Sequence, residues 1–252
     1  GSILYYYNVI NYRKDIELSN ISKLNQIKNQ MDSELKKLKD VTYHISTNTE
    51  ILDTDMIAQA KKKQSAIVSQ IQAYTENHAF VDDILFYFRG DKYIYTNQGK
   101  YYYHDFENNA QNGWELDWWR VSFFGNLNKT IAAKAMRIGA DDQKQFLNNR
   151  LLVLMHPVPY LSTLPKATIA YTIKEEMILA KVENFFGDFN GKFFVYDEFY
   201  NLVVSNVYTE DNIKNAIWEK ECRSFRDTGI FDVNMNGNRY IGMRIVSEEM
   251  AW

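Results

Sequence analysis

No glycine and no proline occurs between Ser2 and Phe80. These are the two residues that most readily interrupt a helix, glycine through backbone entropy and proline through its missing N–H and its clash with the preceding turn. A run of that length without either commits the start of the chain to long helix. From Ile21 the apolar positions Ile21, Leu24, Ile27, Met31, Leu35, Leu38, Val41 and Ile45 follow steps of three and four. Within them Leu24, Met31, Leu38 and Ile45 stand seven apart, the period of a narrow coiled-coil seam. Such a seam serves a dimerising stalk or a helix lying along its own domain, and both readings stay open. Around 46–55 the pattern dissolves into STNTEILDTD, rich in residues that cap helices by accepting backbone N–H bonds. A second helix follows, with Ile57, Ile67, Val68, Ile71 and Tyr74 on one side and 61–64 on the other.

Beyond Phe80 the grammar changes to strands. Val81 to Tyr103 reads VDDILFYFRGDKYIYTNQGKYYY, aromatic and β-branched runs broken at Arg89-Gly90-Asp91 and Asn97-Gln98-Gly99, which predicts a strand hairpin. Gly191 to Asn206, GKFFVYDEFYNLVVSN, repeats that pattern with a polar turn at Asp197 to Asn201. Between them, RLLVLMHPVPY and ATIAYTI read as central strands bounded by Pro157, Pro159 and Pro165. Leu127 to Asn149 is polar and weakly periodic, and Lys174 to Phe186 is helical, ending at Gly187-Asp188. After the second hairpin, Thr209 to Cys222 reads as a helix, and Gly229 to Asn234 and Arg239 to Val246 as strands joined at Asn236-Gly237. The fold class is α+β: a long N-terminal helix, then two tandem modules with antiparallel sheets. The expected domains are 3–80 (helical stalk and second helix), 81–186 (larger module) and 187–252 (smaller module).

Composition excludes several classes. Net charge is −3 and no Lys/Arg run exceeds Lys61 to Lys63, so there is no electrostatic footprint for nucleic acid. Cys222 is the single cysteine, which rules out an intramolecular disulfide. No apolar stretch reaches the roughly 18–20 residues that span a bilayer. The opening ILYYYNVINY before Arg13-Lys14 nevertheless matches either the outer end of a membrane helix with interfacial aromatics or an ordinary amphipathic start. The histidines at 44, 78, 104 and 156 are scattered without metal-ligand spacing, and His156 reads as a hydrogen-bonded core residue. Adjacent acidic pairs such as Asp82-Asp83 and Glu175-Glu176 would point to opposite faces of a strand and form no acid/base dyad. Nothing in the spacing argues for an enzyme or a cofactor.

Aromatic residues carry the strongest hint of a binding site. Trp114, Trp118 and Trp119 fall within six positions, and each indole also asks for an N–H partner. Ligand pockets are lined mostly by such side chains. The candidate pocket residues are Tyr93, Tyr95, Tyr101, Trp114, Trp118, Trp119, Arg137, Met155 and Tyr171, with Arg137 or Arg120 supplying charge for an anionic ligand.

The order of elements resembles the double Cache family of extracytoplasmic sensor domains, with a long helix and two PAS-like modules. The resemblance is carried by VDDILFYFRGDKYIYTN, LLVLMHPVP, ATIAYTI, GKFFVYDEFYNLVVSN and NGNRYIGMRIVSEEMAW, and covers essentially the whole chain. It implies a small-molecule ligand in the membrane-distal module (81–186), a membrane-proximal module (187–252) and flanking transmembrane helices. It also implies a place outside the cytoplasm for this region of a two-pass receptor, with a histidine kinase or an AraC-type regulator as the expected output. Amino-acid-binding members carry an Arg two residues before a Trp-Tyr pair. Here Leu116 holds that position ahead of Trp118-Trp119, and Arg120 follows the pair. The resemblance therefore does not carry an amino-acid ligand across. The alternative is a structural or protein-interaction module that dimerises through the N-terminal helix.

Overall fold

The computed structural model describes residues 2–48, 60–102, 131–136, 150–187, 192–196, 202–206, 220, 224, 228–235, 238–247 and 249. The chain divides into two compact units, one of Lys36–Ile178 and the other of Gly1–Leu35 with Leu179–Trp252. Helix α1, Ser2–Thr47, contributes to both. At 46 residues it is roughly 69 Å long at a rise of 1.5 Å per residue. It ends where the sequence turns to Ser, Thr and Asn: the Ser46 hydroxyl donates to Thr42 O at 2.7 Å, the Thr47 hydroxyl to His44 O at 3.0 Å, and Asn48 N to Ile45 O at 3.2 Å. No helix among the described residues is long and apolar enough to cross a membrane.

The seam on α1 faces inward. Ile27, Met31, Leu35, Leu38, Val41 and Ile45 are all buried, while Leu18 and Tyr43 on another face of the helix are exposed. Of the two readings open for the heptad-like run, the helix lying along its own domain accounts for its burial.

The larger unit is built on a six-stranded antiparallel sheet. Its strands are β1 (Asp83–Phe88), β2 (Tyr93–Thr96), β3 (Gly99–Tyr102), β4 (Ile131–Met136), β5 (Arg150–Val158) and β6 (Ala167–Lys174). Their spatial order is β3-β2-β1-β6-β5-β4. The expected hairpin is thus a three-strand meander. Gly90 takes φ +80° in the β1–β2 turn, where a side chain would be strained. Asp91 closes the same turn, its carboxylate accepting from Lys92 N at 2.6 Å and Tyr93 N at 3.2 Å. Helix α2, Ala60–Asn77, packs on the β1–β3 side, and Gln72 Nε2 donates to Asn97 O at 2.8 Å.

Strand β4 lies in the segment expected to be polar and weakly periodic. Its sequence, IAAKAM, is alanine-rich and poor in β-forming residues. Pairing with β5 along the whole of its length, Ile131↔Met155 to Met136↔Arg150, supplies what local propensity does not. β5 and β6 emerge where the proline-bounded apolar runs predicted them, and helix α3, Glu175–Phe186, follows β6 directly.

In the smaller unit, β7 (Phe194–Tyr196) pairs with β8 (Leu202–Ser205), and β9 (Gly229–Met235) with β10 (Asn238–Arg244). The described residues hold these as two separate two-stranded sheets. Most of the helix expected at Thr209 to Cys222 lies outside the described residues. The chain after β10 is fastened to α1, the Ser247 hydroxyl donating to the Asp32 carboxylate, which also pairs with Lys28 at 3.4 Å.

Gly242 pairs with Phe231 across β9 and β10, and the Phe231 ring lies over it where a Cβ would stand. An aromatic ring covering a cross-strand glycine is a packing device that any side chain there disrupts. Gly242→Ala is expected to cost about 1–3 kcal/mol by overpacking. The penalty should shrink in a Phe231→Leu background, measured as the shift in urea midpoint at constant slope; an equal penalty in both backgrounds would assign the cost elsewhere.

Candidate functional site

The two faces of the six-stranded sheet differ, and β6 shows how. Ile169, Tyr171 and Ile173 project to one face and Thr168, Ala170 and Thr172 to the other, since successive residues of a strand alternate. Strand register extends the two sets. Ile84, Phe86, Leu154 and His156 share the Tyr171 face, whereas Leu85, Tyr87, Val153 and Met155 share the Ala170 face.

Both helices lie on the Tyr171 face. The Thr42 hydroxyl of α1 donates to Leu38 O at 3.0 Å, leaving its lone pairs to accept from the Tyr171 hydroxyl at 2.8 Å. Tyr160 N, in the β5–β6 loop, donates to the Ser46 hydroxyl at 3.1 Å. Tyr74 of α2 lies close enough to Tyr171 to act on its phenol. Burial pushes the Tyr171 phenol well above its ordinary range, so it stays a neutral donor.

Between these contacts sits His156, 1% exposed, its ring 5.5 Å from that of Tyr160 and 5.8 Å from that of Tyr171. Its Nδ1 is buried without a hydrogen-bond partner. Burial, and then the charge of Lys39, lower its pKa to about 3, so the imidazole is neutral across ordinary pH. The sequence placed a hydrogen-bonded histidine here; the observed ring is buried between aromatics with one nitrogen unsatisfied.

The Ala170 face is covered by neither helix, yet Leu85, Ile94, Val153, Met155, Thr168, Ala170 and Thr172 are all buried. At its centre, on β6, the side chains are two threonines and an alanine, flanked by larger residues on β1 and β5. One edge is polar and fixed. Asp83 accepts from Ile84 N at 2.7 Å and Asn97 N at 3.2 Å, and the Thr172 hydroxyl donates to Asp83 O at 3.2 Å. Asn97 Oδ1 is buried and has no hydrogen-bond partner. Nearby, Lys174 pairs with Asp82 at 3.2 Å, a partly exposed contact of little net worth. No cluster of metal-ligating side chains occurs among the described residues.

The aromatic residues singled out from the sequence divide between the faces. Tyr101 on β3 and Met155 on β5 stand on the Ala170 face. Tyr93, Tyr95 and Tyr171 stand on the helix face. Of these, Tyr95 donates to Asp91 at 2.9 Å, with its phenol raised in pKa by burial and by the Asp91 charge, and Tyr93 lies 4.5 Å beneath Lys100 Nζ. Trp114, Trp118, Trp119, Arg120 and Arg137 lie outside the described residues. Sequence reasoning missed Thr168, Ala170, Thr172 and Asp83. The alternation of small and large residues in ATIAYTI was the available signal for the first three; nothing local distinguished Asp83.

No protein-family model and no curated protein matches the sequence. Solved structures do. The ligand-binding domain of the Pseudomonas aeruginosa amino acid chemoreceptor PctC, in complex with GABA, aligns at a TM-score of 0.53 and 10% identity over 88% of each chain. That of PctB from the same organism, in complex with L-Arg, aligns at 0.51 and 10% over 94% of this chain and 91% of that one. The sensory domain of the Campylobacter jejuni chemoreceptor Tlp3 gives 0.49 at 11%, over 94% and 89%. The chain has the double Cache fold of chemoreceptor ligand-binding domains.

The Thr42–Tyr171 bond makes an asymmetric prediction. Tyr171→Phe leaves Thr42 satisfied through Leu38 and is expected to cost about 0.5–1.5 kcal/mol, whereas Thr42→Val strands a buried phenol at about 1–3 kcal/mol. The double variant should cost less than the sum of the singles in urea denaturation. Strict additivity would mean that the bond is not made in solution.

Proposed function

We propose that this chain is the small-molecule-sensing region of a membrane receptor, exposed outside the cytoplasm, with the ligand held on the Ala170 face of the six-stranded sheet. One observation carries the reading. Within a fold that serves ligand binding in its structural neighbours, the face left bare by both helices is buried and centred on small side chains, Thr168, Ala170 and Thr172, between larger walls. A sheet that needed only to fill its core would place large residues at its most central strand, as β6 does on its other face with Ile169, Tyr171 and Ile173.

Tyr101 and Met155 are the candidate ligand contacts on that face. Trp114, Trp118, Trp119, Arg120 and Arg137 complete the proposed pocket, and a Trp118→Ala variant that binds with wild-type affinity removes Trp118 from it. Helical segment 3–80, a distal module at 81–186 and a proximal module at 187–252 form the proposed division of labour, with transmembrane helices flanking the region. Ligand closure in the distal module biases two arrangements of α1 and of the chain after β10, a population shift rather than a newly made structure. The output is proposed to be a histidine kinase or an AraC-type transcription regulator. Dimerisation through α1 is proposed to use the side away from the seam, where Leu18 and Tyr43 are exposed, because the seam from Ile27 to Ile45 is already buried.

A thermal-shift screen against amines, amino acids, organic acids, sugars, nucleosides and short peptides tests the reading, since a ligand that binds only the folded chain raises its apparent stability. One chemical class should give a dose-dependent rise. Ala170→Val, which adds bulk at the centre of the proposed site, should weaken the response at least tenfold in midpoint concentration while the free variant still unfolds cooperatively. A ligand response that Ala170→Val leaves unchanged would move the site off this face.

A further inference from the structure

His156 has no part in the proposed ligand site: it projects to the opposite face of the sheet, under α1. It is one of few polar groups in that core, and its surroundings suit only one protonation state. On its own strand the neighbours from Leu151 to Val158 are apolar. From β6 it meets Tyr171, from the β5–β6 loop Tyr160, from α1 the ammonium of Lys39, and Tyr74 of α2 stands behind Tyr171. Among the described residues no carboxylate acts on it, and its buried Nδ1 has no acceptor to which a second proton could be given. A protonated ring there is a buried cation under the repulsive charge of Lys39, with no acceptor for its Nδ1–H. The same few residues form the hydrogen bonds that hold the end of α1 on the sheet, Thr42 to Tyr171 and Tyr160 to Ser46.

We propose that His156 is an acid-operated release for the last turns of α1, so that protonation of the imidazole frees helix residues 36–47 from β5 and β6 and makes the proton a second input to this module. Opening the contact exposes the ring to water, where it takes up a proton it cannot hold when closed. The sign follows from linkage. A folded pKa of about 3 against an ordinary 6.5 means that the closed state is favoured fully above pH 6.5 and loses ground as pH falls from there toward 3. Each pH unit in that window multiplies the open fraction by about ten, so pH 4.5 gives about a hundredfold more opening than pH 7.5. The release is a property of the chain itself; that external acid reaches it rests on the extracytoplasmic reading above.

Hydrogen exchange of the whole chain, followed by mass spectrometry between pH 7.5 and 4.5 and corrected for the intrinsic exchange rate, tests this. Protection of amides 38–47 should fall about a hundredfold over that range, while amides of α2 keep most of theirs. His156→Phe keeps an aromatic ring between Tyr160 and Tyr171 and should remove the pH dependence. Titration of the wild-type histidine ring signals by NMR gives a readout independent of that variant: the His156 signal should stay neutral to below pH 4.5. Acid-induced exchange that spreads evenly over the unit, that persists in His156→Phe, or that is absent altogether would overturn the proposal, as would a His156 ring that charges near pH 6.5.

Discussion

Strand β6 is the constraint on which the larger unit depends. From Ala167 to Ile173 none of its side chains is exposed, and it pairs with β1 on one edge and β5 on the other. A strand buried on both faces has no tolerance for register error, because a slip of one residue would exchange Ile169, Tyr171 and Ile173 with Thr168, Ala170 and Thr172. The large set would then meet the face that the small set now occupies. Register along β1–β6–β5 thus decides at once where the helices dock and which face carries the small side chains.

The N-terminal helix is fixed to this strand by chemistry as well as by packing. Its apolar seam buries Leu38, Val41 and Ile45, but a seam alone permits sliding by a turn. The Thr42–Tyr171 hydrogen bond and the Ser46–Tyr160 contact specify one axial position, since each needs its partner within a fraction of an ångström. In the other unit the Ser247–Asp32 hydrogen bond ties the segment after β10 to the same helix. Helix α1 therefore carries fixed points in both compact units.

Much of this was legible in the sequence because the relevant signals are local. The unbroken run from Ser2 to Phe80 gave the helices, and the proline-bounded apolar runs gave β5 and β6. Strand β4 was not legible, for IAAKAM owes its conformation to pairing with β5 and not to its own preferences. Which side of a strand faces the helices was also hidden. Tyr95 and Tyr171 look like pocket residues as isolated aromatics, but their hydroxyls serve Asp91 and Thr42, partners chosen by the turn and by a helix more than a hundred residues away. His156 was placed correctly in the core, while the absence of a partner for Nδ1 could be known only from the packing around it.

The central claim is that a ligand lies on the Ala170 face and not on the helix face, and methyl NMR reads that directly. In a sample labelled at alanine, methionine and leucine methyls, addition of a compound that stabilises the chain should shift the Ala170 and Met155 signals most. The Leu152 and Leu154 signals, from the opposite face, should move far less. Larger changes at Leu152 and Leu154 than at Ala170 and Met155 would contradict the account and place the ligand between the sheet and its helices.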